Sequence, residues 1–215
     1  MDSIGLDSVA ISTAISQDCD LIFLAVPDRQ IANQSIEEKY LQKSIVVHLS
    51  GSQNITSLSS FSNYGVLYPL QTFTKEKQIN WDNIPILIEG NNVLTLEKIK
   101  SVAELLTKKV IHCNSEERLK VHLSAVLSCN FTNYLYQLAQ KHLNETGLVF
   151  SDLQHLIQET IDKAVAIGPE KAQTGPAIRG DGETIRLHLE LLDGNESEKS
   201  LYSQISKSIN PNLKL

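Results

Sequence analysis

The run Leu21-Ile-Phe-Leu-Ala-Val26 constrains this chain most, because a continuous apolar stretch closed by Pro27-Asp28 suits a strand buried on both faces. Such a strand needs helices above and below it, and the sequence that follows supplies them in alternation. Asp28 opens a helix that the spacing carries to about Leu41, and Ile45-Val-Val-His-Leu49 is the next strand. A short helix near Ile55 to Phe61 leads to the strand Gly65-Val-Leu-Tyr68. Ile84-Pro-Ile-Leu-Ile88 is a further strand, and Pro85 points to an edge position because proline cannot donate to a ladder. A helical face from Thr95 to Lys108 and the strand Lys109 to His112 complete the series. Repeated β-then-α order predicts an α/β fold with a mainly parallel sheet and helices on its faces.

From Asn114 the strands stop. Ser115, followed by Glu116 and Glu117, starts a long helix whose apolar stripe of Leu119, Leu123, Val126, Leu127, Tyr134 and Leu138 runs to about Leu143. Ser151 with Gln154 has the spacing of a capping box for a third helix that ends at Gly168-Pro169. A fourth helix follows Asp181, with Ile185, Leu189 and Leu192 on one face, and residues 197 to 208 form the last. The expected division is an α/β domain over 1–113 and an all-helical domain over 114–215.

The segment from Gln173 to Leu192 joins backbone-permissive residues to a fixed cation. Gly175, Gly180 and Gly182 admit φ values that other residues resist, Pro176 fixes φ, Asp181 sits where an N-cap belongs, and Arg179 stands beside the turn. A capped packing turn and a ligand-facing loop both fit these residues.

A net charge of -6 with no run of Lys or Arg argues against nucleic acid or an anionic membrane surface as partner, which leaves small molecules and proteins. Cys19, Cys113 and Cys129 are an odd count without framework spacing, as for free thiols in a reducing compartment. The first residues carry neither a basic nor an apolar signal region, and no apolar run is long enough to span a bilayer, so a cytoplasmic protein is expected. No metal is expected, since the histidines and cysteines show no ligand spacing, and neither a nucleophile elbow nor a P-loop occurs.

Open parallel sheets bind ligands beyond the carboxyl ends of their strands. Three segments lie there: Val26-Pro27-Asp28, Ser50-Gly51-Ser52, and the stretch after Tyr68 that holds Gln71 and Thr72. A Ser-Gly-Ser turn offers hydroxyls and a bare amide to a carboxylate, phosphate or ribose, and equally makes an ordinary helix entry. On the long helix His122, Asn130 and Asn133 lie near one face, away from the apolar stripe.

Taken in order, Ala25-Val-Pro-Asp28, His48-Leu-Ser-Gly-Ser52, Tyr68-Pro-Leu-Gln-Thr-Phe73 and Thr174-Gly-Pro-Ala-Ile-Arg-Gly-Asp181 resemble a family of Rossmann-like proteins with a helical C-terminal domain of unknown function. That family is similar to deazaflavin-dependent NADP oxidoreductases, and more distantly to pyrroline-5-carboxylate reductases and 3-hydroxyisobutyrate dehydrogenases. The resemblance implies a truncated Rossmann-like sheet followed by an all-α dimerisation domain, hydride transfer with NADP or NAD on a small polar metabolite, and a homodimer. It implies that Val26, Pro27 and Asp28 border the nicotinamide ribose and that Ser50, Gly51 and Ser52 match a substrate loop. Gln71, Thr72 and Arg179 would add substrate contacts, with His122 and Asn130 facing the cleft as catalytic residues.

Two features depart from the pattern. The hydroxyacid dehydrogenases use Lys-x-x-Asn on this helix, and the lysine is missing here. No Gly-x-Gly-x-x-Gly turn occurs anywhere in the chain, so the loop that holds a dinucleotide pyrophosphate is missing along with its strand. A short chain of this kind is expected either to be incomplete or to have its bared sheet edge covered by another segment or subunit. A non-catalytic dimeric binding or assembly module, or an inactive fragment of a reductase, is the competing expectation.

Overall fold

The computed structural model describes residues 19–34, 44–74 and 77–214. The chain forms two compact units, Met1–Leu135 and Tyr136–Leu215. Strands give way to helices at 113–114, whereas the units part within the helix Thr132–Leu143.

In the first unit β1 (Leu21–Leu24), β2 (Ile45–His48), β3 (Tyr64–Pro69), β4 (Ile86–Gly90) and β5 (Val110–His112) lie side by side in chain order. β1, β2 and β3 are mutually parallel, β4 runs antiparallel to β3, and β5 is parallel to β4. The mainly parallel α/β sheet expected from the sequence is therefore present, with one antiparallel junction. Alternation through β2 explains its complete burial. Ile45 and Val47 pack with Leu67, Ile86 and Ile88 under Ile99 and Ala103, while Val46 faces Leu24, Ile31, Leu58 and Phe61 on the other side. The Ile99 and Ala103 pair, one turn apart, fastens the helix Val93–Leu106 to the sheet.

Pro85 does not mark an edge. Among the described strands β4 lies between β3 and β5, and Pro85 precedes it, where its missing N–H is not needed and its carbonyl accepts the Leu70 amide at 2.9 Å. A side chain at Gly65, opposite Gly90, would place its Cβ 2.3 Å from the Glu89 carbonyl oxygen. Glycine there lets the antiparallel pair close. The helix opened by Asp28 is described over Asp28–Ile31, and its expected continuation through 35–43 lies outside the described residues.

The long helix starts as expected. Asn114 accepts from the Glu117 amide and the Glu117 carboxylate accepts from the Asn114 amide, a reciprocal cap for Ser115–Ala125. It then widens into a π-helical segment, Val126–Phe131, before Thr132–Leu143 resumes the α-helix. Thr132 Oγ1 donates to the Leu127 carbonyl at 3.3 Å, taking up an acceptor on the wide turn.

The second unit is helical. The expected Ser151–Gln154 capping box is replaced by Asp152, whose carboxylate accepts the Val149 amide at 2.8 Å and starts the 3-10 turn Phe150–Leu153 ahead of Gln154–Ile167. Asp181 caps Gly182–Leu191 by accepting from the Thr184 amide at 3.1 Å and hydroxyl at 2.9 Å. Those two donors, the amide first, hold its carboxyl below the usual range. Gly175 and Gly180 adopt φ of 104° and 68°, whereas Gly182 is simply the first helical residue. The last helix, Glu196–Ile209, is tied in at both ends. Glu198 accepts from Lys141 Nζ at 2.5 Å and lies 3.0 Å from His142 Nε2, while Asn210 Nδ2 donates to the Ala177 carbonyl at 3.0 Å. Among the described residues no helix is long and apolar enough to cross a membrane.

Candidate functional site

The ends of β1, β2 and β3 bring Asp28, the Ser50-Gly51-Ser52 turn and Tyr68 to one place. Val26-Pro27 carries the chain out of β1 and presents Asp28 as the first residue of a short helix. Ser50 Oγ donates to Asp28 Oδ2 at 2.8 Å and Ser52 Oγ donates to the same oxygen at 2.6 Å. Ser50 Oγ in turn accepts the amides of Ser52 and Gln53, each at 3.1 Å. Both hydroxyls that the Ser-Gly-Ser turn offered to a ligand are thus engaged by Asp28. The carboxylate shapes the loop, and its Oδ1 takes no hydrogen bond among the described residues.

Gly51 is the floor of this corner. A Cβ there would lie 2.6 Å from His122 Nδ1 and 2.7 Å from Tyr68 Cζ, so only glycine lets both rings come down onto the loop. Tyr68 Oη and His122 Nδ1 are 3.2 Å apart. Burial first, then the Asp28 carboxylate and Cys129, push the Tyr68 phenol above its ordinary value, which keeps it protonated at neutral pH.

Below this layer lies a buried polar support. His48, fully buried at the end of β2, accepts the Ser50 amide on Nδ1 at 3.2 Å, while its Nε2 has no hydrogen-bond partner of good geometry among the described residues. Burial, and next the Arg118 guanidinium, lower its pKa to about 4, against smaller opposing effects from the Asn54 backbone oxygen, Asp28 and Glu89. It is a neutral ring that holds the loop. Arg118 is 1% exposed, pairs with Glu89 of β4, and donates to the Gln53 carbonyl at 2.6 Å and to Ser115 Oγ at 3.0 Å. Ser115 Oγ donates to Glu89 at 2.8 Å and accepts the Ile55 amide at 3.0 Å. The start of the long helix is thereby bolted to the loop after β2, and His122 follows one turn after Arg118 on the same face.

Asn130 sits in the π segment. Eight residues of plain α-helix would leave it about 80° around the axis from His122. A π turn absorbs an extra residue, which brings Asn130 most of the way back to the His122 side. Gln71 and Thr72 follow β3, but the Gln71 side-chain oxygen accepts the Thr72 amide at 2.8 Å, so that acceptor is turned onto its own turn. Arg179 belongs to the second unit, largely exposed, with its guanidinium 3.9 Å from Asp181.

Tyr68, Arg118 and Glu89 were not singled out for the site from the sequence. Tyr68 stood inside a recognised motif at a strand end, which is the signal that could have marked it. Arg118 sits in the polar run Ser115-Glu-Glu-Arg-Leu-Lys120, which has the pattern of a solvated face, and nothing local shows that it is buried.

The sequence profile of the family described as domain of unknown function DUF2520 matches residues 84–209. The chain belongs to this family. As a DUF2520 protein it joins an oxidoreductase-like Rossmann sheet to a helical C-terminal part, and two solved structures extend the likeness through the sheet. A protein from Bacteroides fragilis, provisionally classed as an NADP oxidoreductase, shares 33% identity over 92% of this chain and 77% of its own, with a TM-score of 0.83. A Thermotoga maritima protein shares 25% identity over 92% of this chain and 80% of its own, at a TM-score of 0.75. An imine reductase variant from Myxococcus stipitatus, determined with NAD+, shares the fold alone, at 14% identity over 90% of this chain and 75% of its own and a TM-score of 0.54. No curated protein matches the sequence.

Proposed function

We propose that this DUF2520 chain is an NAD(P)-dependent oxidoreductase that reduces, or in reverse oxidises, a small polar metabolite at the corner built from Asp28, Ser50-Gly51-Ser52, Tyr68 and His122. The observation that carries the reading is the convergence of these residues at the carboxyl ends of β1, β2 and β3, where open α/β sheets bind ligands.

The residues present fit the nicotinamide-ribose end of such a cofactor. Asp28 keeps one carboxylate oxygen for a ribose hydroxyl while its other oxygen is spent on the serines. Val26 and Pro27 lie beside it, and the Ser-Gly-Ser backbone faces the substrate. The fit does not extend to the pyrophosphate, for which the sequence holds no Gly-x-Gly-x-x-Gly turn. A reduced nicotinamide, when bound, supplies the hydride. His122 as imidazolium donates its Nε2 proton to the heteroatom of the C=O or C=N group, and the electron pair of the broken N–H bond stays on nitrogen. Asn130 hydrogen-bonds the same substrate, and Gln71 and Thr72 are further substrate contacts in this reading. The test is turnover. Purified protein should oxidise NADPH or NADH with a panel of small imines and keto acids, and His122→Asn should lower kcat by about a hundredfold. Equal rates in the variant and the parent would remove His122 from the chemistry.

The commitment of both serine hydroxyls to Asp28 favours a second reading, a dimeric module that holds a small ligand without catalysis. Both readings use a homodimer through the helical part. Leu119, Leu123, Leu127 and Phe131 form an apolar stripe that is 49–56% exposed.

A further inference from the structure

Tyr68 reaches His122 from a distant part of the sequence. It stands near the end of β3, and His122 lies on the first helix after the sheet, yet their rings meet edge to face at 6.0 Å with an interplanar angle of 74°. Oη and Nδ1 are 3.2 Å apart. Both rings rest on the bare Cα of Gly51, whose Cβ would separate them. The base of the helix is held by Arg118, so the His122 backbone is fixed and its ring orientation is set by what Nδ1 meets.

We propose that Tyr68 is a positioning residue for His122: its hydroxyl occupies Nδ1, so that Nε2 is the nitrogen presented to a ligand. A phenol hydroxyl can donate or accept. With a neutral imidazole it donates to Nδ1 and the ring proton sits on Nε2. With an imidazolium it accepts from Nδ1–H and Nε2–H is free to leave. After Nε2 gives up its proton, the ring is left neutral with its proton on Nδ1, bonded to Tyr68 Oη, and proton exchange with solvent returns it to the resting tautomer, with Nε2–H restored and Nδ1 accepting from the phenol. The phenol itself never loses its proton in this cycle, in keeping with the upward displacement of its ionisation by burial, Asp28 and Cys129. Serine hydroxyls held by Asp28 could not take this role, since both are already committed.

The catalytic meaning rests on the reading of His122 given above, but the placement of the ring does not, and the experiment separates them. Nitrogen-15 NMR of the imidazole in the ligand-free protein at neutral pH reports which nitrogen carries the proton. The parent protein should show His122 with its proton on Nε2 and Nδ1 as a hydrogen-bonded acceptor. In Tyr68→Phe, which keeps the ring but loses the hydroxyl, the two nitrogen signals should move toward each other as the tautomers mix. Gly51→Ala keeps the hydroxyl but pushes the rings apart, and it should produce the same change. Circular dichroism checks that both variants fold. Where turnover is measurable, Tyr68→Phe should lower kcat about tenfold with little effect on KM. Identical His122 signals in the parent and Tyr68→Phe, or a parent ring protonated on Nδ1, overturns the proposal. The NMR change without any nucleotide turnover upholds it and overturns the reductase reading instead.

Discussion

At the scale of residues, His48 and Arg118 hold the site without facing a ligand. The buried His48 ring has a folded pKa of about 4 against an ordinary 6.5, so the unfolded chain binds the extra proton first as pH falls. Its neutral form carries no penalty above pH 6.5. Stability is lost as pH drops from 6.5 toward 4, by about 3 kcal/mol in all. Denaturant titrations across that range should show the slope in the parent and a shallower one in His48→Gln; equal slopes would contradict the assignment. Arg118→Met leaves the Glu89 carboxylate, 12% exposed, without its partner, and should lower stability by about 3–5 kcal/mol, whereas replacing both partners by apolar residues should be milder. Neither residue announced this part in the sequence. A histidine in an apolar strand looks like a satisfied core residue, and the partner of Arg118 lies 29 positions upstream, beyond any local pattern.

At the scale of elements, strand and helix positions were legible because burial imposes period. Each expected strand is present, shifted by a residue or two, and the helical face expected from Thr95 to Lys108 is found on Val93–Leu106, where Ile99 and Ala103 meet the sheet. Ile99→Ala should cost about 2–5 kcal/mol in the same titrations, because the residue is fully buried under both β3 and β4. What period alone missed was direction and local winding. Pro85 suggested an edge, but it only delays the start of an interior strand. The Val126–Phe131 π turn has no sequence signature, yet it decides which way Asn130 points. Deleting the exposed Ser128 should return the turn to α-helix and leave Asn130 on the His122 side, because seven α-helical residues turn about 700°, within about 20° of two full turns. Helicity by circular dichroism and substrate turnover should both hold in the deletion, whereas Asn130→Ala should lower turnover; unchanged turnover in Asn130→Ala would mean that Asn130 has no contact with substrate.

At the scale of the whole molecule, the sequence already showed a strand-rich start followed by helices, and four short motifs in order carried the family resemblance. The apolar stripe of the long helix is exposed at Leu119, Leu123, Leu127 and Tyr134. Light scattering at micromolar concentration should therefore report a dimer, and a Leu123→Glu, Leu127→Glu double variant should be monomeric. A monomer in the parent protein would leave that stripe unexplained. The most direct test of the account as a whole is calorimetric titration of the folded protein with NADPH and NADH. The structure at the strand ends predicts saturable binding of one of them, with Kd between about 1 μM and 1 mM, weakened at least tenfold in Asp28→Ala. No detectable heat from either nucleotide with protein shown to be folded would contradict it.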